Sequence, residues 1–232
     1  MKAVILAGGM GKRLRPLTDD RPKAMIEIQN IPIIERQIQW LSRFGIREIV
    51  VCVGHLKEKI ITHLNDGRQF GVVIDYISEE EPLGTGGALR NAREKIVLDS
   101  HDEGFFVING DILTDINLLK LSNLGSNSIA LVNLRSTFGI VETEGNIVSQ
   151  FIEKPSIKDK WINAGIYFFS PQVFRYLPLL GNFEITTLPS LAKERKLKAL
   201  KYAESYWRSI DSHKDVEEAT EEIGVLNKLI GK

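Results

Sequence analysis

Five charged side chains are of types that can grip phosphate or a divalent cation: Arg13, Lys23, Asp111, Lys154 and Asp211. Arg13 belongs to the turn LAGGMGKRLRPLT, which follows a short apolar run. Glycines let backbone N–H groups approach a polyphosphate closely, and a guanidinium offers paired donors to phosphoryl oxygens. Two common phosphate-binding patterns do not fit this turn. A dinucleotide fingerprint lacks its third glycine after Gly9-Met10-Gly11. A P-loop fails because Leu6 stands five residues before Gly11 and Arg13 follows Lys12. On the loop alone, polyphosphate binding and a tight turn with solvated basic residues stand about level.

Asp111 closes the segment GFFVINGD at the carboxyl end of an expected strand, where ligands of open α/β sheets gather. One or two carboxylates plus phosphate oxygens suit Mg²⁺. The plain alternative is an aspartate that turns the chain or caps a helix beginning near Asp115. Asp211 in YWRSID is the second carboxylate, with capping of the last helix as its plain alternative, a task Ser212 could also perform. A lysine taken by itself is usually only solvated.

These positions need elements to hold them. KAVILA (2–7), REIVVCV (47–53), VVIDYI (72–77) and GFFVING (104–110) read as strands. Between them 32–44, 56–64 and 85–96 read as helices, the first with Pro32 at its start and Gly45 past its end. Such alternation predicts a parallel sheet with helices on both faces. Beyond it, NSIALVNL, FGIVET, NIVSQFIE and WINAGIYFF read as closely spaced strands, with Tyr167, Phe168 and Phe169 in the core. The segments 183–195 and 213–229 read as helices. No repeat or linker breaks the chain, so one α/β domain with a mixed-strand second half is expected.

Composition narrows the classes. The chain has 232 residues, 43% hydrophobic and 26% charged, with thirty Lys+Arg balancing thirty Asp+Glu. Zero net charge argues against a chain-wide grip on nucleic acid or anionic lipid. The single cysteine, Cys52, excludes an internal disulfide and a multi-thiolate zinc site, and its apolar setting reads as an inert core thiol. His55, His63, His101 and His213 show no ligand spacing. No stretch reaches the length of a membrane span and no signal peptide is evident, so a cytoplasmic protein is expected.

LAGG-x-G-x-R-L-x-P-L-T followed by Pro22-Lys23, then EPLGTGGAL, NGDIL, FGIVE, FIEKP, WINAGIYFF and YWRSID, together resemble the sugar-1-phosphate nucleotidyltransferases. The resemblance runs along nearly the whole chain, with Lys12 where many members carry a small hydroxyl residue. It implies a Rossmann-like αβα sandwich with a mainly parallel mixed sheet, of glycosyltransferase-A type. It implies a single catalytic domain, 1–232, with a nucleotide-binding half at 1–112 and a sugar-phosphate half at 113–232. The C-terminal β-helix extension of several longer relatives is expected to be absent.

The resemblance also implies residue roles. The nucleotide would meet Leu6, Ala7, Gly8, Gly9, Gly11, Lys12, Arg13, Lys23, Glu79, Glu80, Pro82, Gly84 and Thr85. The sugar phosphate would meet Asn109, Gly110, Gly139, Glu153, Lys154, Asn163 and Gly165. Asp111 and Asp211 would hold Mg²⁺ or Mn²⁺, with Arg13, Lys23 and Lys154 acting in catalysis. The implied substrates are a nucleoside triphosphate and a sugar 1-phosphate, with no nucleic acid or membrane partner. Exposed helix faces are compatible with a homodimer.

Two clues bear on the base. A carboxylate only accepts hydrogen bonds, and guanine presents N1–H and N2–H₂ on one edge, so Glu79 or Glu80 facing the base would favour GTP. The wording PLGTGG also resembles mannose- and heptose-1-phosphate guanylyltransferases. YWRSID instead resembles the cytidylyltransferase branch. The expected reaction is GTP-dependent transfer to a mannose- or heptose-type phosphate. The alternatives are a CTP-, UTP- or dTTP-dependent glucose-1-phosphate enzyme and a regulatory subunit that senses nucleotide sugar without catalysis.

Overall fold

The computed structural model describes residues 1–96, 103–125 and 127–229, with side chains described as far as residue 223. His101 therefore lies outside the described residues. The strands of the first half are β1 (Lys2–Ala7), β2 (Glu27–Ile28), β3 (Ile31–Pro32), β4 (Glu48–Val53), β5 (Val73–Ser78), β6 (Phe105–Asn109) and β7 (Ile112–Thr114). Interleaved helices are α1 (Ile33–Arg43), α2 (Lys57–Leu64) and α3 (Gly84–Asn91). The second half holds α4 (Leu118–Asn123), β8 (Ser128–Arg135), β9 (Ile140–Glu144), β10 (Ile147–Ile152) and β11 (Ser156–Phe169). It closes with α5 (Thr187–Lys193), β12 (Lys198–Lys201), β13 (Trp207–Ser209) and α6 (His213–Leu229).

Seven strands form one sheet in the order β12-β8-β11-β6-β1-β4-β5. Only β11 runs against the rest, pairing antiparallel with β6 and β8. Period-2 alternation divides the buried residues between the two faces. Ala3, Ile5 and Ala7 of β1 join one core cluster with Ile34, Ile38 and Leu41 of α1, Ile60 of α2 and Leu118 of α4. Val4 of β1 and Cys52 of β4 join the other with Ala88 and Leu89 of α3 and Leu188 of α5. The sheet is therefore sandwiched between α1, α2 and α4 on one side and α3 and α5 on the other.

Two helices end differently from the expected bounds. The segment 85–96 is α-helical only to Asn91 and continues as a 3₁₀ turn, Ala92–Lys95. The segment 183–195 begins its helix only at Thr187. Phe183 is fully buried, with its ring set edge-on against Tyr167 and Phe169, and its N–H donates to Thr85 Oγ1 at 3.1 Å. That docking draws residues 182–186 out of the helix. No helix starts at Asp115; α4 begins at Leu118, capped by Asn117, whose side chain accepts from Lys120 N–H.

Three small antiparallel pairings lie off the main sheet, the first joining β2 to β3. β9 and β10 form an antiparallel hairpin. β7 and β13 form a three-residue antiparallel ladder that joins the middle of the chain to its end.

Candidate functional site

Leu6 of β1 stands opposite Asn109 of β6 in parallel register, so the loops after both strands open at one carboxyl edge. There a cavity of about 300 Å³ forms. Leu6, Ala7, Gly8, Gly9, Lys23, Glu79, Pro82, Gly84, Thr85, Asn109, Gly110 and Asp111 line it. The glycine loop, the 79–85 loop and the Asn-Gly-Asp turn thus share one cleft.

Asp111 and Asp211 are a hundred residues apart in sequence and meet through the β7–β13 ladder. The ladder continues as a hydrogen bond from Ile210 N–H to the Asp111 carbonyl, 2.9 Å. Beneath it, Leu14, Ile28, Leu113, Ile210 and Ala219 form a third buried cluster. On the other side α1 supports the turn. Gln37 is 2% exposed, and its Nε2 donates to the carbonyls of Asn109 (2.8 Å) and Ile112 (2.9 Å), spanning the residue that carries the carboxylate. One turn further along α1, Trp40 Nε1 donates to the Ile116 carbonyl at 3.0 Å.

The two carboxylates converge on Lys23. Its Nζ donates to Asp111 Oδ2 at 2.6 Å and Asp211 Oδ1 at 2.8 Å. Burial alone would lower the Lys23 pKa, but the two carboxylates outweigh it and raise the ammonium above its ordinary value. Burial opposes the Asp211 charge as well, yet Lys23, Ser209 and Arg13 together hold its pKa below the ordinary value. Ser209 Oγ donates to Asp211 Oδ2 at 2.6 Å, and Arg13 Nη2 to Oδ1 at 2.7 Å. Capping of α6 falls to Ser212 and Asp215, whose Oδ2 accepts from Ser212 N–H at 2.7 Å. The Asp211 carboxylate is thereby left to its bonds with Lys23, Arg13 and Ser209.

This donor set fits a divalent cation. One oxygen from each carboxylate already faces a single positive charge. Among the described residues no group of three or more His, Cys, Asp or Glu is arranged for a metal. A cation here would rest on two carboxylates and complete its shell with phosphate oxygens and water, the habit of Mg²⁺.

At the far wall, Glu79 Oε2 accepts from Leu83 N–H at 2.8 Å while Oε1 lies beside Gly8. Burial pushes the Glu79 carboxyl above its ordinary value, offset in part by that N–H. Glu80 is exposed and outside the cleft lining. The glycines of PLGTGG serve a packing need. Gly84 has φ +72°, and a Cβ there would lie 2.7 Å from Gly181 C. The arm 178–182 is thus pressed onto the start of α3.

The remaining expected residues are placed as follows. Arg13, Lys154 and Asp211 line a second cavity of about 740 Å³. Its wall is tied to that of the cleft by the hydrogen bond from Lys23 to Asp211. Lys154 is 40% exposed, 3.7 Å from Glu153. Gly139 sits beside Phe151 and Glu153 at the base of the β9–β10 hairpin. Gly11 and the exposed Lys12 lie in the turn behind the cleft lining. Asn163 is committed internally: its Nδ2 donates to Tyr167 Oη (2.6 Å) and its Oδ1 accepts from Gly165 N–H (2.9 Å). Gly165 has φ +67° where β11 slips register, and packs against Asn109 and Ile112.

Four cleft residues were not among the expected site residues: Ala24, Cys52, Ala88 and Asn182. Cys52 is fully buried, with its thiol 3.7 Å from the Ala88 carbonyl and its pKa driven far up by burial, so it forms inert floor. Asn182 stands on the arm, its Oδ1 accepting from Thr85 N–H at 3.2 Å. The dipeptide Gly181-Asn182 was a turn signal masked by the helix expected to begin at 183.

Comparison with known proteins follows the same lines. The model of the Nucleotidyl transferase family matches residues 2–224. The mannose-1-phosphate guanylyltransferase catalytic subunit beta of Danio rerio is 36% identical over 227 residues, covering 93% of this chain and 62% of that protein. The chain therefore spans less than two thirds of that relative's length. A Bacillus anthracis structure assigned as a glucose-1-phosphate thymidylyltransferase superposes with TM-score 0.76 at 23% identity, covering 96% of this chain and 94% of that one. HddC from Yersinia pseudotuberculosis superposes with TM-score 0.73 at 30% identity, covering 96% and 99%. HddC has also been solved in complex with GMP-PN.

Proposed function

Since the chain belongs to the nucleotidyl transferase family, we propose that it joins a nucleoside triphosphate to a sugar 1-phosphate and releases pyrophosphate. GTP is the favoured nucleotide and a mannose- or heptose-type phosphate the favoured acceptor. The whole chain acts as one catalytic domain, with residues 1–112 serving the nucleotide and 113–232 the sugar phosphate. A cytoplasmic setting is kept as part of this proposal; among the described residues no helix is long and apolar enough to cross a membrane. The observation that carries the proposal is the convergence of Lys23, Asp111 and Asp211 within hydrogen-bond distance at the mouth of the cleft. The guanylyltransferase relative and the GMP-PN complex of HddC support guanine.

The chemistry is attack of a sugar-phosphate oxygen on the α-phosphorus, with the bond to the pyrophosphate oxygen breaking in line. The nucleophile is already an anion, so no general base is needed. The protein's task is positioning and charge neutralisation. Asp111 and Asp211 would hold Mg²⁺ or Mn²⁺, which when bound supplies positive charge to the α-phosphate. Lys23 leaves the carboxylates and turns to the departing pyrophosphate, joined by Arg13. Lys154, on the second cavity, holds the incoming phosphate and offsets its repulsion from the triphosphate. Glu79 accepts from the guanine N1–H and N2–H₂ edge.

Pyrophosphate release with Mg²⁺, run as a grid of GTP, CTP, UTP, dTTP and ATP against mannose-, glucose- and heptose-1-phosphates, tests the proposal. GTP with a mannose- or heptose-type phosphate is the expected active pair. CTP selectivity would transfer the base assignment to the YWRSID segment. Silence across the grid with nucleotide sugar still binding would replace the enzyme with a sensor.

The Glu79 carboxyl makes GTP use sensitive to acid. Its raised pKa means that protonation sets in at higher pH than for a free glutamate, and the protonated group donates where guanine also donates. As pH falls through that pKa, KM for GTP should rise while KM for the sugar phosphate holds. Glu79→Gln should flatten this dependence and reduce GTP-over-UTP selectivity about tenfold, or about 1.4 kcal/mol. An unchanged pH profile in the variant would remove Glu79 from base reading.

Gln37 holds the Asp111 turn without touching the cleft. Gln37→Met leaves the buried Ile112 carbonyl and the part-buried Asn109 carbonyl short of a donor, a loss of about 1–3 kcal/mol. kcat should fall and Mn²⁺ affinity, read by electron paramagnetic resonance, should weaken, with KM for the nucleotide little changed. Lower thermal stability with unaltered Mn²⁺ affinity would reduce Gln37 to a packing role.

A further inference from the structure

Away from the cleft, the end of α3, the 3₁₀ turn Ala92–Lys95 and the 3₁₀ turn Pro171–Arg175 enclose a shallow cavity of about 420 Å³. Arg90, Arg93, Gln172, Phe174 and Arg175 line it. Six arginines elsewhere have acidic partners: Arg13 with Asp211, Arg15 with Asp19, Arg21 with Asp20, Arg68 with Asp66, and Arg135 and Arg208 with Glu222. Arg36 and Arg47 bond instead to the Ile28 carbonyl and the Ser42 hydroxyl. Among the described residues, none of the three cavity arginines forms an ion pair.

Two of the three are held in place. Arg90 Nη1 donates to the Leu177 carbonyl at 2.7 Å. The Arg93 guanidinium lies over the Phe174 ring, 5.8 Å from its centroid, and that ring is stacked on Phe105 at 5.7 Å. A cation at the end of a helical turn is favoured by the helix dipole, which accounts for each arginine singly. It does not account for three guanidinia from two separate segments meeting in one depression. Like charges gathered without an acid repel, and here the chain as a whole carries no net charge to explain them.

We propose that this cavity binds a small molecule carrying two or more linked phosphoryl groups. Guanidinium forks match phosphoryl oxygens in pairs, which a chain of linked phosphates can engage from more than one side. Arg90 and Arg93 are already restrained, so little side-chain freedom is lost on binding. Arg175, the third, lines the same cavity from the opposite segment.

The whole protein would be titrated at constant ionic strength with inorganic tripolyphosphate, GTP and inorganic phosphate in turn. The arginine Nε–H resonances of Arg90, Arg93 and Arg175 would be followed by NMR. Saturable shifts with tripolyphosphate or GTP are expected, with orthophosphate at least about tenfold weaker, or about 1.4 kcal/mol. GTP binding here more tightly than tripolyphosphate would make the ligand a nucleotide, and the reverse order an inorganic polyphosphate. The double variant Arg93→Gln/Arg175→Gln should weaken this binding at least about tenfold and leave turnover at the cleft unchanged. Resonances unmoved by either polyphosphate, equal affinity for orthophosphate, or unaltered affinity in the double variant would each overturn the site. These readouts are independent of whether the cleft performs nucleotidyl transfer.

Discussion

Asp111→Asn should give a folded protein that is nearly inactive. The side chain keeps its shape and can still hydrogen-bond, but the proposed cation would lose one of its two anionic supports. By comparison with other preorganised charge-stabilising groups, removal should cost about 2.7–4 kcal/mol at the transition state, roughly 10²–10³ in kcat. The fold should tolerate the change, because the turn is held by bonds to its main chain that remain: Ile210 N–H to the Asp111 carbonyl and the Gln37 side chain to the carbonyls of Asn109 and Ile112. Circular dichroism and a melting curve would check the fold, and pyrophosphate release the rate. Retention of more than about a tenth of the activity, a loss under about 1.4 kcal/mol, would remove Asp111 from the reaction.

Lys23→Met should separate two jobs of one side chain. Lys23 is 15% exposed and neutralises both carboxylates. Breaking a fully buried ion pair costs about 3–5 kcal/mol. The carboxylates here are 27% and 33% exposed, so water screens much of that loss. About 1–2 kcal/mol without divalent cation is expected after that discount, a fall in Tm of about 2–8 °C at this chain length. Mg²⁺ should then raise Tm more in the variant than in the parent, because the cation no longer competes with an ammonium. Mn²⁺ affinity should rise while kcat falls about 100-fold or more, as expected when a group facing the leaving pyrophosphate is lost. Loss of stability with unchanged Mn²⁺ affinity would mean that Lys23 does not stand in the cation's place. Acid should act in a matching direction. Asp211 has a lowered pKa, so its stabilising contribution is complete above the unfolded-state value and disappears as pH falls through the folded value.

Where local pattern and final packing agree, the elements were legible in sequence. α1 has a strongly one-sided apolar pattern between Pro32 and Gly45 and forms at Ile33–Arg43. α6 has the expected bounds, His213–Leu229. The apolar runs at 2–7 and 47–53 could only be buried strands, and they lie together at the centre of the sheet. Tertiary docking moved other bounds. Phe183 enters the aromatic cluster of Tyr167 and Phe169, delaying α5 to Thr187.

The candidate site was legible in its charged residues and obscure in what joins them. Three residues of β7 and three of β13 are too few to show a period, yet their ladder brings Asp111 and Asp211 together. Gln37 lies on the buried face of α1 among isoleucines, where a single polar side chain has no pattern of its own. Ser209 carries no charge to mark it in YWRSID, yet its hydroxyl donates to the acid two residues later. Asn182 reaches the cleft on an arm that is distant in sequence and whose fit depends on the absence of a Cβ at Gly84.

The central claim is that the pair Asp111 and Asp211, with Lys23, directs a sugar phosphate onto the α-phosphorus of a nucleotide. The most direct measurement is ³¹P NMR of the protein with Mg²⁺, GTP and mannose 1-phosphate or its heptose counterpart, read for products. Coupled diphosphate resonances of a GDP-sugar, growing in step with pyrophosphate and absent with Asp111→Asn, are the expected result. GDP and orthophosphate without a sugar diphosphate would show cleavage at the wrong phosphorus and contradict the claim.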